Sequence, residues 1–453
     1  MKLLKIAIIL LVCNIANAQS FIGYTSDNYS GLHGVALNPA NIVNSKFRTE
    51  INLASASSTF NNDYFVADFN ELFSGEDFDD SRTEPKDNNN FTISADVMGP
   101  SFMLNLSPKS SIGIITRGRV FSNVNELSGV LFENVEDNFD DNSDFTIEED
   151  NFTITTHGWA EFGVAYGHVL LDNNQHYLKG GATIKYLRGF GNAYTIGSNL
   201  LVDYNANTFI NGDGQITSTG TIQYGSSNAF SADGDGDFKL EDNAQGLGAD
   251  LGFIYEWRKD PLDIDNMSNA AYKLKLGISI TDIGSINYKD ADVKVYDVTN
   301  SINEAQFNSE EDFEDKLDAF YTLVEEKDAT KVLLPTALHV TADYNLDSQF
   351  FLNFRSDLSL RKKGEVNTNS IDNTFTLTPR FERKWVSVYL PLGVSEYSGF
   401  QAGFGFRAGP LFIGSQTILT NLLSDSSQAA NIYAGLKIPI YKKGKSYSKA
   451  TNN

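Results

Sequence analysis

Cysteine is nearly missing: the 453-residue chain has one, Cys13, within its first 18 residues. Downstream of it, disulfides, thiol nucleophiles and cysteine metal sites are excluded. Basic residues are scarce too, 35 Lys and Arg against 58 Asp and Glu, for a formal charge of −23. A surface of that sign repels polyanions, so a nucleic-acid partner is excluded on electrostatic grounds. Long apolar runs are absent: nothing approaches the roughly 18 consecutive apolar residues that mark a membrane helix, and mean hydropathy is −0.26. What is plentiful is Gly (36), Phe (32) and Tyr (20), a composition suited to aromatic-rich sheet with tight turns.

The start of the chain reads as a targeting segment. Lys2 and Lys5 precede an apolar run from Ile6 to Val12, and Ala16-Asn17-Ala18 precedes Gln19. This is the pattern of a secretory signal peptide over 1–18. Acylation at Cys13 would want a small residue where Val12 stands, which argues against a lipoprotein.

Beyond it, alternation is the main signal, because a strand sends successive side chains to opposite faces. From Leu247 to Arg258, one face carries Leu247, Ala249, Leu251, Phe253, Tyr255 and Trp257, and the other carries Asp250, Glu256 and Arg258 among small residues. The next segment sets Tyr272, Leu274, Leu276, Ile278 and Ile280 against Lys273, Lys275, Gly277, Ser279 and Thr281. Leu338 to Tyr344, Phe350 to Leu358, Phe375 to Phe381, Val386 to Val394, Phe400 to Ala408, Leu411 to Leu419 and Ile432 to Ile440 continue the pattern. Phe47 to Ser57, Phe91 to Leu106, Ile112 to Val120, Ala160 to Leu170 and Leu178 to Arg188 begin it. Strands of this length, apolar on one face and polar on the other, suit a lipid-facing barrel with a wet lumen, whereas soluble strands average nearer five or six residues. The expectation is an all-β fold, a single antiparallel transmembrane β-barrel of about 14 strands (12–16) over 47–441, in contact with outer-membrane lipid. Residues 19–46 form an N-terminal plug and 442–453 a basic polar tail. Tyr255, Trp257, Trp385, Tyr389 and Tyr433, near strand ends, are expected in the interfacial aromatic girdles.

Other segments read as loops. Nine acids fall within 132–150, a solvated and self-repelling stretch, and 204–246 is rich in Asn, Gly, Ser and Asp. Within the latter, Asp233, Asp235 and Asp237 alternate as at the start of a calcium loop. However, Phe238 stands where an EF-hand needs Gly and Ala244 where it needs the bidentate Glu, so they remain weak metal candidates. One helical insertion is predicted from Ser309 to about Glu326, with Phe313, Leu317, Phe320, Tyr321 and Val324 at helical spacing.

No catalytic motif emerges. His33, His157, His168, His176 and His339 are scattered without zinc spacing, and there is no G-x-S-x-G elbow or phosphate-cradling glycine loop. His168 and His339 sit in strand runs and read as satisfied or interface-facing imidazoles; a dyad built across distant strands is a matter of register, which sequence does not show. No catalytic residue, cofactor or firm metal site is expected.

The irregular stretch before the first strand contains Asn28-Tyr29-Ser30-Gly31-Leu32-His33-Gly34 and then Asn38-Pro39-Ala40-Asn41. Pro fixes φ and Asn accepts local backbone hydrogen bonds, so the latter reads as a turn. An N-terminal hatch with such an element, leading into a barrel, resembles the FadL-like outer-membrane families. Gly31 to Asn41, Gly246 to Arg258, the Thr-Asp-Ile-Gly-Ser of Thr281 to Ser285, and Leu334-Pro335-Thr336 more closely resemble an uncharacterised Bacteroidetes-type family, the domain of unknown function DUF5723. That family in turn resembles type IX secretion accessory barrels and PorP/SprF-like proteins. One departure is that the chain runs past Ile440 instead of ending on a terminal aromatic. The resemblance implies a non-enzymatic outer-membrane barrel, exported by its signal peptide, that takes up or holds a hydrophobic small molecule. Its alternative is an accessory role in type IX-like secretion or surface attachment, with an envelope protein as partner.

Overall fold

The computed structural model describes residues 21–66, 83–136, 143–206, 208–209, 213–228, 230, 242–258, 272–309, 313–347, 349–424 and 426–441. The alternating segments pair edge to edge into one antiparallel sheet of 14 spanning strands, several of them interrupted by bulges. In chain order these are β1 (Phe47–Asn62), β2 (Asn89–Met98 and Ser101–Ser107), β3 (Ser110–Leu127), β4 (Phe145–Asn173) and β5 (His176–Asn205). Then come β6 (Gln215–Asn228 and Ala244–Arg258), β7 (Tyr272–Tyr288, Ala291–Asp297 and Asn300–Asn303) and β8 (Thr322–Lys327, Thr330–Leu333 and Ala337–Asp347). The last six are β9 (Phe350–Ser359), β10 (Thr374–Glu382), β11 (Val386–Tyr389 and Leu392–Ser395), β12 (Gly399–Ala402 and Phe404–Ala408), β13 (Leu411–Ser415) and β14 (Ala429–Tyr441). The sheet closes where β1 pairs with β14, from Phe47↔Tyr441 to Asn61↔Ala429. Closure leaves no membrane-level edge, as lipid requires.

The predicted faces hold on β6, where Leu247, Leu251, Phe253 and Trp257 are 46–68% exposed while Asp250, Ile254 and Glu256 are buried. One position is corrected. A bulge between Trp257 and Arg258 shifts the β6–β7 register, so Tyr272 turns inward and is 3% exposed, while Leu276 and Ile278 keep the outward face. Tyr389 and Tyr433 also leave the expected girdle: both are buried in the lumen against Phe21 and Tyr24. An aromatic ring suits either face, and here the packing partner decides.

Five of the six connections at the Phe47/Tyr441 end are short, as at 107–110, 173–176 and 408–411, the exception being 259–271, and the opposite end carries most of the long ones. In outer-membrane barrels short turns face the periplasm and long loops face outward. The wall is uneven: β4 and β5 run 29 and 30 residues, while β9 and β10 run 10 and 9. Since crossing the bilayer takes about 9–11 residues, β4 to β8 rise well above the outer surface. Three loop expectations change accordingly. The acidic 132–150 stretch is partly a helix, Gly129–Glu136, and partly the raised start of β4; Gln215–Asn228 within 204–246 is the raised part of β6. The helix ends at Phe320, spanning Phe313–Phe320, because Thr322–Lys327 pairs with Ala291–Asp297 and continues the sheet. Its Leu317 seats in an apolar dome with Val124, Tyr204, Tyr224 and Tyr296. Short helices at Glu304–Phe307 and Ile418–Leu423 add to the single one expected.

Candidate functional site

Residues 21–46 lie inside the ring of strands, folded as a 3-10 turn (Tyr24–Ser26), a short helix (Leu32–Leu37) and a second 3-10 turn (Pro39–Ile42). The Asn38-Pro39-Ala40-Asn41 element is locally self-consistent. The Asn38 side chain accepts from the Ala40 N–H at 3.0 Å, Pro39 occupies the first position of the turn, and Asn41 Nδ2 donates to the Gly34 carbonyl at 2.8 Å. The same Asn38 amide donates to the carbonyls of Phe253 and Ile278 at 3.2 and 3.1 Å, and Ser279 Oγ donates to the Leu37 carbonyl at 2.7 Å. Three wall glycines in register admit this turn: Gly167 pairs with Gly181, and Gly181 with Gly252. A Cβ would collide with Ile42 at the first, Pro39 at the second and Asn38 at the third. The backbone of β4, β5 and β6 is therefore the seat.

Charged contacts hold the rest of the segment. Arg407 of β12 donates to Asp27 at 2.9 Å, both side chains fully buried, and Tyr389 also donates to Asp27. Glu50 of β1 accepts from the Leu32 N–H at 2.9 Å and from Lys437 of β14 at 3.0 Å. The Asn28 N–H donates to Glu382 at 3.1 Å, and Asn28 also bonds Tyr272 and Lys275. Arg355 donates to Thr25 at 2.8 Å, and His33 meets Ser55 at 2.8 Å. A buried charge is tolerable only when paired and hydrogen-bonded, and each of these is. Burial alone would raise the Asp27 pKa, but the Arg407 guanidinium outweighs it and holds the carboxyl well below the usual carboxylate range.

Above this segment a buried ionic layer crosses the lumen. Arg117 pairs with Asp96 and Glu161, Arg119 with Glu161 (3.1 Å) and Asp282 (2.8 Å), and Lys185 with Asp250 (2.8 Å) and Asp282 (2.7 Å). Its geometry depends on one bulge. Asp282 takes φ +57° and Gly284 φ +155°, the Asp282 N–H donates to Asp250 at 2.8 Å, and Thr336 Oγ1 donates to the Asp282 carbonyl at 2.7 Å. A Cβ on Gly246 would collide with the Ser285 carbonyl. The three downstream sequence motifs, Gly246 to Arg258, Thr281 to Ser285 and Leu334 to Thr336, thus meet at a single point.

Register also assembles a chain the sequence left open. His339 Nδ1 lies 2.6 Å from Asp357 and its Nε2 lies 2.9 Å from Thr281 Oγ1. Hydroxyl, imidazole and carboxylate stand in the order used by hydrolytic triads. They line a cavity of about 70 Å³, room for water-sized molecules. His157 is buried and stacked on Trp159 at 4.7 Å, with neither ring nitrogen bonded among the described residues. Asp233, Asp235 and Asp237 lie outside the described residues.

Sequence reading missed a second obstruction. The β9–β10 connection folds inward, burying residues 367–372. Asn369 donates to Asn123 and to the Thr155 carbonyl at 3.0 and 3.1 Å, and Asp372 accepts from Thr92 and Asn61 at 2.7 and 2.8 Å. Its Asn-Thr-Asn-Ser run reads as an ordinary loop, and no pattern in it signals the fold. Ile371 on this loop and Phe21 of the N-terminal segment both line the 70 Å³ cavity.

Among solved structures, the chain is similar to the toluene transporter TbuX of Ralstonia pickettii (11% identity, TM-score 0.39, covering 91% of this chain and 95% of that one). It is similar to a FadL homologue of Pseudomonas aeruginosa (9%, 0.40, 93% and 94%) and to the translocator domain of the autotransporter NalP of Neisseria meningitidis (7%, 0.36, 94% and 100%). No curated protein matches the sequence. A family profile does match it, over residues 39–416, which take in thirteen of the strands: the chain belongs to the family of unknown function DUF5723.

Proposed function

We propose that this protein is a non-enzymatic outer-membrane barrel that passes or holds a small molecule, with residues 19–46 acting as a plug on the periplasmic side. The observation that carries this reading is how the segment is held. Discrete polar contacts from β1, β6, β7, β9, β10, β12 and β14 suspend it in the lumen, and contacts of that kind can be exchanged for water if the segment moves. A core sealed only by apolar packing offers no such exchange. Support for an apolar or amphipathic cargo comes from the FadL-like resemblance. A second cavity of about 510 Å³ beside residues 25–46, lined by Lys46, Lys179, Lys275 and Arg355, supports a more polar one.

Planar-bilayer conductance tests the gate. Deleting residues 21–44 should convert a closed or low-conductance protein into a persistently conducting one. A deletion variant that folds as a barrel and stays as tight as the full chain removes this function. Cells lacking the gene, compared for uptake of a fatty acid and of small anions, would then report the cargo class.

A further inference from the structure

We infer that the cavity between the plug and the wall of β5 to β9 binds a small multivalent oxyanion, either a polycarboxylate or a phosphate compound, admitted at the short-turn end of the barrel. This deepens the proposed function and rests on it for what the binding serves; the binding itself is measured separately.

The cavity encloses about 510 Å³, within the roughly 300–1,000 Å³ of small-molecule sites. In a chain of formal charge −23 its lining is locally cationic, with Lys46, Lys179, Lys275, Arg355 and Lys384 around it. Among the described lining residues only Asp27 and Glu256 oppose them, and both are engaged. Asp27 is taken by Arg407 at 2.9 Å, and Glu256 lies between Lys179 at 3.6 Å and Arg258 at 2.7 Å. Arg355 is tied to Asp357 at 2.8 Å and Lys275 lies 3.7 Å from Asp343.

Lys46 and Lys384 differ from these. Neither has a carboxylate partner among the described residues, and the Lys384 ammonium rests over the Tyr441 ring at 4.6 Å. Burial pulls the Lys46 pKa down; Glu382 and Glu256 oppose that, while Lys275 and Arg258 add to it. Lys46 is half-buried and Lys384 exposed; with neighbouring carboxylates beyond ion-pair distance among the described residues, a bound carboxylate or phosphate would give each a direct partner through charge-assisted hydrogen bonds. Lys384 and Tyr441 sit at the short-turn end, which sets the side of entry. An apolar cargo would leave this lining desolvated and unpaired, at a cost.

Calorimetric titration of the full-length protein in non-ionic detergent tests the site, with citrate, pyrophosphate and the uncharged polyol sorbitol as probes. Saturable binding of at least one anion is expected, weakened by added salt, with none of sorbitol. Citrate alone binding identifies carboxylate recognition, and pyrophosphate alone identifies phosphate recognition. Lys46→Gln should weaken binding about tenfold, the scale of one charge-assisted hydrogen bond, and K46Q/K384Q further. Lys327→Gln, on the raised outer wall, should leave it unchanged. Absence of saturable heat with both anions overturns the inference, as does unchanged affinity in K46Q or in the double variant. Heat-modifiable gel mobility verifies that each variant is a folded barrel, and either single variant carries the test if the double one fails to fold. A protein that conducts on plug deletion but binds neither anion keeps the gated-barrel reading and loses this one.

Discussion

Residues 21–46 and the inward loop at 367–372 both line a cavity of about 70 Å³, yet different chemistry holds them. The N-terminal segment is fixed by the Asp27–Arg407 ion pair, by the wall pair Glu50–Lys437 bonding the Leu32 N–H and the Tyr29 carbonyl, and by backbone set directly on wall glycines. The loop has no ion pair of this kind among the described residues: amides and hydroxyls hold it, chiefly Asn369 with Asn123, and its one buried carboxyl, Asp372, is met by Asn61 and Thr92. The difference teaches that two obstructions in one lumen can have separate release conditions. Charge contacts fail steeply when one partner is lost, because the other stays buried and unpaired. Amide contacts fail singly and in small steps.

The sharpest break in this comparison is Arg407→Met. It strands a buried Asp27 carboxylate, at a cost of about 3–5 kcal/mol. Proteolysis within 21–46 should accelerate and conductance should rise, while D27N/R407M recovers much of the protection. A plug in R407M as protected as in the wild type would remove the charge-latch account. Gly181→Val comes next. Its side chain enters the space of Pro39, with an overpacking cost of about 1–3 kcal/mol, and a raised, noisy conductance in bilayers is the readout. Asn369→Ala should cost only about 1 kcal/mol, the scale of ordinary net hydrogen bonds, and should leave plug proteolysis unaltered. If it exposes the plug as much as Arg407→Met does, the two obstructions act as one unit.

The smallest effect is in pH, and the two obstructions should respond with opposite sign. The Asp27 pKa lies below its unfolded value, so its contribution is present above about pH 4 and is lost as pH falls through the folded value. Asp372 is the reverse: burial pushes it up to about 6, against the Thr92, Lys363 and Asn61 contacts that lower it. Its contribution is complete below about pH 4 and is lost as pH rises through about 6. Thermal midpoints from pH 5 to pH 7 should therefore fall more in the wild type than in Asp372→Asn. Parallel curves would mean that the loop carboxylate does not titrate as its surroundings require.

Much of the barrel was legible in sequence because one physical demand, apolar outside and polar inside, repeats every second residue. The faces of β6 follow from Leu247 to Arg258 alone, and the number of strands follows from repetition. Register did not, since alternation is blind to bulges: Tyr272 read as lipid-facing, and one skipped residue turns it onto Asn28 and Asp343. Tyr389 and Tyr433 were misplaced because an aromatic near a strand end satisfies the interface and the lumen equally. The helix through Val324 was overextended because helical spacing among acids competes unseen with pairing to a strand 30 residues away. The hatch element stood out for its Asn and Pro, but the glycines that receive it looked like any others. The His339–Asp357 contact depends wholly on adjacent strands aligning, and nothing local announces it.

The uneven wall has one further consequence. Above the bilayer, Thr322–Lys327 pairs on one side only among the described residues, with Ala291–Asp297, because the neighbouring β9 stops short. All six of its residues are exposed, so its outer backbone amides and carbonyls stand open to another strand, as on any sheet margin. Glu325, Glu326 and Lys327 close half of that strip. Crowding of fixed charge there discourages neighbouring copies from zipping together rim to rim in the plane of the membrane, and the tall side can stay a free-standing screen.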